Sequence, residues 1–157
     1  MHKNAHFDVV VATVEDIDAI QGILYPHYFE ESTYSGLTYD PENTRKMIEQ
    51  YVSDVALVAK AEGKIVGFCA MSFVRTFYKE TEADIDMFYV LPEWRGTGIA
   101  RAFAFALTHV AEKHGAGAIY TSCLSGLEGH NNGQYVNLWK KYGFNTLGTV
   151  MVRLKHV

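Results

Sequence analysis

Arg95-Gly96-Thr97-Gly98-Ile99-Ala100-Arg101 sets two glycines and an alanine between two arginines, after the apolar run MFYVL and Pro92 and before an amphipathic stretch. A helix that opens straight after a strand leaves its first N–H groups unpaired and carries partial positive charge there, which favours an anion. Small residues at 96, 98 and 100 clear the backbone face, and the two guanidinium groups add charge-assisted donors. A diphosphate suits that arrangement; the same letters also fit a plain glycine turn with solvated arginines. Just upstream, Glu82, Asp84 and Asp86 fall on one face of an extended segment by its period of two. Clustered carboxylates raise one another's pKa and attract a cation, and a solvated strand face is the bland alternative.

Other phosphate-binding motifs fit less well. A dinucleotide fold places G-x-G-x-x-G after its first strand, with an acidic residue about 20 positions later, and a Walker loop needs Gly-Lys-Ser/Thr. Here the loop follows a middle strand and reads G-x-G-x-A. The formal net charge of -4, with 14 Lys plus Arg against 18 Asp plus Glu, gives no global attraction to a polyanion, and no basic stripe suggests nucleic acid as a partner. The seven His show no metal-ligand spacing, so no metal is expected. Cys69 and Cys123 sit in apolar runs without a CxxC pattern and read as buried reduced thiols, which points to the cytoplasm. No apolar stretch approaches the roughly 20 residues of a membrane span, and the N-terminus does not read as a signal peptide.

The elements that must position these residues follow from periodicity. With 48% hydrophobic content, the 157 residues suit one domain over 1–157. FDVVVAT reads as a first strand, and residues 14–29 as a helix that Pro26 ends. Residues 31–43 read as a loop and 44–52 as a second helix whose apolar side is Met47, Ile48 and Tyr51. Two strands flank a Glu62-Gly63 turn, and residues 83–91 form a fourth strand that passes from alternating acidic and apolar residues to wholly apolar ones. From Gly98 to Lys113 apolar residues recur at three and four positions, a helix that Gly115 and Gly117 terminate. AIYTSCL then reads as a fifth strand, Gln134 to Tyr142 as a fourth helix and TVMVRL as a last strand, together an α/β mixed sheet.

These landmarks, in this order, resemble the GNAT family of N-acetyltransferases. The family fingerprint, Arg/Gln-x-x-Gly-x-Gly/Ala between a strand and a long helix, is matched by Arg95 to Ala100. YVLPEW is similar to the usual lead-in, GKIVGF to the upstream hairpin, and NGQYVNLWKKYGF to an Asn-led helix ending in Gly-Phe. The resemblance spans essentially the whole chain. It implies a mostly antiparallel central sheet splayed into a V, flanked by about four helices, with acetyl-CoA as cosubstrate in the gap. The backbone of Phe88, Tyr89 and Val90 would pair with the pantetheine amides. Arg95, Gly96, Thr97, Gly98, Ile99, Ala100 and Arg101 would take the pyrophosphate, and Asn132, eleven residues before Gly143, would contact the pantetheine arm.

The implied reaction is acylation of a primary amine, of a small molecule or of a peptide, in a ternary complex. An alkylammonium must lose a proton before it attacks, and Asp86 or Asp84, with Glu82 beside them, are the candidate bases. The backbone N–H of Val90 is a reasonable donor to the thioester carbonyl. Where the family often places an acidic tyrosine, four residues before Gly-Phe, this chain has Trp139, whose indole N–H is not a useful acid. Tyr142 and Tyr135 are possible substitutes, or solvent protonates the thiolate. The alternative is a non-catalytic acyl-CoA sensor or interaction module of the same fold. Tyr28, Phe29, Tyr34 and Tyr39 with Glu30 and Glu31 suit a cationic acceptor, or simply cover the core. Only thirteen residues follow Phe144, which suggests one strand where the family usually has two and an edge that a second copy covers as a homodimer.

Overall fold

The computed structural model describes residues 6–32, 36–122 and 132–147. Among the described residues, five strands form one sheet in the order β1-β2-β3-β4-β5: β1 (Asp8–Val11), β2 (Val55–Ala61), β3 (Lys64–Arg75), β4 (Thr81–Val90) and β5 (Ala116–Thr121). The first four pair with one another antiparallel, and β5 runs parallel to β4. The described residues also form four α-helices that flank the sheet: α1 (Ile17–Ile23), α2 (Pro41–Ser53), α3 (Ile99–Lys113) and α4 (Asn132–Lys140). The expected mixed, mostly antiparallel sheet with about four helices is therefore present.

Alternation along β2 and β3 sends side chains into two cores, one on each sheet face. Ala56, Val58, Phe68 and Ala70 pack against Ile17, Ile20 and Ile48 of α1 and α2. Leu57, Cys69 and Met71 pack with Phe103 and Leu107 of α3 and Trp139 of α4. Full burial of each large apolar side chain contributes about 1.5–3 kcal/mol. Helix α3 is held close to the sheet at Gly67, where a Cβ would lie 3.1 Å from both the Tyr89 carbonyl oxygen and the Phe103 ring. The β2–β3 hairpin turns through Glu62 and Gly63, at φ 50° and 74°, as the Glu-Gly pair predicts.

Several boundaries differ from expectation. Pro26 does not end the first helix: the chain continues through a π-helical segment, Leu24–Phe29, in which the hydrogen-bond step is longer and a residue without an N–H is tolerated. Helix α2 begins at Pro41 rather than Thr44, because the Asp40 side chain accepts from the Asn43 N–H as an N-cap and Pro41 takes the first turn. Gly117 lies inside β5, where a Cβ would sit 2.6 Å from that of Glu80; it fits the strand to its neighbour rather than ending α3. Helix α4 starts at Asn132 and stops at Lys140, so Tyr142 belongs to the following turn and does not share the helix with Tyr135. Tyr34, Cys123, the last strand and the edge assigned to a second copy lie outside the described residues.

Candidate active site

The glycine loop connects the centre of the sheet to α3. After β4, the Leu91 N–H still donates to the Val66 carbonyl at 2.9 Å, and a single turn over Pro92–Trp94 buries the Trp94 ring. Gly96 and Gly98 then adopt φ 81° and 105°, in the region that side chains disfavour. Crowding within the protein is not the reason, since a Cβ at Gly96 would meet nothing within 4 Å and one at Gly98 only the Phe7 ring at 3.9 Å. The first intrahelical bond of α3 joins the Ala102 N–H to the Gly98 carbonyl, at 3.0 Å, so the N–H groups of Ile99, Ala100 and Arg101 have no helical acceptor. Ile99 is buried and fixes this end, Ala100 is half-exposed and Arg101 exposed.

Arg95 differs from the rest of the loop. Its Nε donates to the Val90 carbonyl at 2.9 Å, and its Nη2 pairs with Glu31 Oε2 at 3.0 Å. The guanidinium carbon lies 5.5 Å from the centroid of the Tyr89 ring, within reach of a cation–π contact. Glu31, read from sequence as an acceptor-side charge, also accepts from the Tyr89 hydroxyl at 3.0 Å.

Strand β4 carries the carboxylates. Its pairing with β5 stops at Ile85 opposite Thr121, so residues 86–90 have no strand partner on that side among the described residues. On the other side Met71 pairs with Ile85 and Ala70 with Met87, which leaves Asp86 as the extra residue of a β-bulge. The bulge resets the alternation: Ala83, Ile85, Phe88 and Val90 pack in the α3 core, whereas Met87 packs in the α1/α2 core. Asp84 and Asp86 are both exposed and together act on Tyr51 of α2. Partial burial, then the charge of Asp86, raises the Asp84 pKa above its ordinary 3.8. Burial, then Asp86, Asp84 and Tyr28, pushes the Tyr51 hydroxyl up to about 12. Glu82 stands apart: it pairs with Val74 near the hairpin end and accepts from Thr76 Oγ1 at 3.3 Å. Tyr51 reads as core in the sequence because its helical spacing is that of a packing residue; only the fold brings it to the carboxylates.

Helix α4 faces the free stretch of β4. The Phe88 ring meets those of Trp139, at 5.4 Å between centroids, and Tyr135, at 5.8 Å. Trp139 is 2% exposed, and its indole N–H is buried without a hydrogen-bond partner among the described residues. The Tyr135 hydroxyl lies 2.6 Å from Thr121 Oγ1. Tyr142 is placed away from the carboxylates; its hydroxyl donates to the Arg101 carbonyl, at 3.0 Å, beside the start of α3. Asn132 opens α4, with its side chain outside the described residues. Among the described residues, no group of His, Cys, Asp and Glu could hold a metal ion, and no helix is long and apolar enough to cross a membrane.

Comparison with known proteins agrees with this geometry. Residues 21–144 match the model of the Acetyltransferase (GNAT) family. No curated protein matches the chain. Among solved structures, an acetyltransferase of Trypanosoma brucei is 17% identical, with a TM-score of 0.70 over 96% of this chain and 99% of its own. A predicted acetyltransferase of Clostridium acetobutylicum, solved with acetyl-CoA, is 17% identical at a TM-score of 0.71 over 95% and 96%. Glucosamine-6-phosphate N-acetyltransferase of Arabidopsis thaliana is 14% identical at 0.69 over 95% and 98%. At such identities the structural likeness is one of fold, and the family match reaches from the end of α1 to the Gly143-Phe144 turn: the chain belongs to the GNAT family of acetyltransferases.

Proposed function

We propose that the protein transfers an acetyl group from acetyl-CoA to a primary amine by direct attack in a ternary complex. The observation that carries this reading is the stretch of β4 over residues 86–90, which on its β5 side has no strand partner among the described residues and leads through the Pro92–Trp94 turn into the left-handed glycine loop and the N-terminus of α3. A strand edge left unpaired by the described residues, beside an anion-binding helix start, suits a pantetheine arm followed by a pyrophosphate. One structural neighbour holds acetyl-CoA and another is an amino-sugar acetyltransferase, which supports cosubstrate and acceptor class alike.

In this reading the backbone of Phe88, Tyr89 and Val90 pairs with the pantetheine amides, and the Val90 N–H points a donor at the thioester carbonyl. The amides from Gly96 to Ala100, with Arg101, hold the pyrophosphate. Arg95 supports the loop from beneath through Val90 and Glu31. Asn132 reaches the pantetheine arm. On the opposite face, Asp84, Asp86 and the rings of Tyr51 and Tyr28 receive the ammonium group. Asp84, which keeps its proton to higher pH than an ordinary carboxyl, accepts the amine proton, directly or through water. Attack by the amine nitrogen on the acetyl carbonyl carbon then breaks the carbon–sulfur bond and releases the thiolate. Tyr142 can protonate that sulfur only after leaving the Arg101 carbonyl; otherwise water does so.

Titration calorimetry with acetyl-CoA, followed by assay of free thiol against a panel of alkyl amines, amino sugars and peptides, tests the proposal. Binding with amine-dependent thiol release is expected. Binding without release from any amine would favour an acyl-CoA sensor, and absence of binding would refute the reading of the loop.

A further inference from the structure

A side-chain connection between the two ligand sites of the proposed reaction runs through Glu31. This carboxylate lies at the end of the helical run that continues α1 through the π-helical segment Leu24–Phe29, the run that carries Tyr28. It accepts from the Tyr89 hydroxyl with Oε1 and from Arg95 with Oε2, each at 3.0 Å. Arg95 in turn donates to the Val90 carbonyl and leads directly into Gly96. Tyr28 packs edge-on against Tyr89, with centroids 5.5 Å apart, and contributes to the electrostatics of Tyr51 together with Asp84 and Asp86. One half-buried carboxylate thus ties the acceptor wall to the strand end and to the glycine loop at once.

We propose that Glu31 is a positioning residue that transmits cosubstrate binding to the acceptor wall, an inference that rests on the reading of the loop as the pyrophosphate site. The side chains of Glu31 and Arg95 are 30% and 27% exposed, so their charge-assisted bonds are screened less than those of a surface pair. An anion bound by the amides after Gly96 fixes the loop, and with it the base of Arg95. Because Arg95 and Tyr89 hold opposite oxygens of one carboxylate, fixing them removes freedom from Glu31 and from the segment carrying Tyr28. The acceptor wall is then ordered by a ligand that does not touch it, and an acceptor bound there tightens the cosubstrate by the same factor.

Amide hydrogen exchange of the whole protein with and without saturating CoA separates this proposal from the reading beneath it. In the wild type, CoA slows exchange in a peptide over residues 95–101 and also in one over 24–32, the latter by at least about fivefold, the lower end of typical coupling factors. In Glu31→Ala the first effect persists and the second disappears. Arg95→Met, which keeps an apolar stem, cuts the same link from the other side and serves if the first variant does not fold. Protection of 95–101 alone in the wild type would overturn the role of Glu31 and leave the pyrophosphate site standing. Protection of 24–32 that survives both substitutions would also overturn it. Loss of protection everywhere would refute the loop reading itself, and the coupling with it.

Discussion

Replacing Gly98 separates what the loop needs for its own fold from what it needs for a ligand. At φ 105° any side chain is strained, by about 1–2 kcal/mol. The added Cβ itself meets only the Phe7 ring, at an ordinary 3.9 Å. Gly98→Ala therefore folds, and its melting temperature falls by about 2–8 °C for a chain of this size. Gly98→Asp carries the same strain and sets a negative charge beside the N–H groups that open α3. Two unit charges 4 Å apart interact by about 1 kcal/mol in water and about 4 kcal/mol near a protein surface. For the two charges of a diphosphate even the lower figure amounts to about 2 kcal/mol, or about thirtyfold in affinity. Calorimetric titration should show Gly98→Asp binding acetyl-CoA at least about thirtyfold more weakly than Gly98→Ala, and acetyl-pantetheine, which lacks the diphosphate, equally well. Equal affinities of the two variants for acetyl-CoA would refute the placement of the pyrophosphate.

The acid limb of the pH–rate profile lies above the ordinary carboxyl value of 3.8, because Asp84 must lose a proton that burial and Asp86 help it to keep; activity falls as pH falls through that raised pKa, while the same shift makes ionised Asp84 a cost to the fold at higher pH. Asp86→Asn moves the limb to lower pH and Asp84→Asn removes it; a limb unchanged in both variants would exclude the pair as the base. Tyr142→Phe loses the bond to the Arg101 carbonyl, about 0.5–1.5 kcal/mol by denaturant titration, and lowers kcat more than that only if Tyr142 delivers the proton to sulfur. Gly67→Ala forces a methyl to within 3.1 Å of a backbone oxygen and of the Phe103 ring, and costs about 1–3 kcal/mol in denaturant unfolding; a neutral change would mean that α3 can move off the sheet freely.

The parts of this fold that were legible in the sequence are those whose physics is local. The three-and-four spacing from Ile99 to Val110 is that of an amphipathic helix, and Glu62-Gly63 between apolar runs is the signal of a tight turn. The glycine loop was legible because left-handed backbone and a helix start are written in neighbouring residues. What escaped depends on partners far away in the chain. Tyr51 has the spacing of a core residue, and only the packing of α2 brings it under the influence of Asp84 and Asp86. Glu31 and Arg95 are separated by 64 positions, and no local pattern marks an ion pair across that distance. The bulge at Asp86, which lets one strand pack into both the α1/α2 core and the α3 core, has no glycine to announce it. Pro26 stops an α-helix but not a widened turn.

The most direct test of direct transfer beside β4 is intact-mass spectrometry of the protein and its small-molecule products, with acetyl-CoA alone and then with the most active amine of the panel. Without amine, an unmodified chain and no free CoA thiol are expected, then one acetylated amine per thiol released when the amine is added. An acetyl adduct on the protein that passes its acetyl group to the amine, or thiol release that ignores the amine, would contradict it.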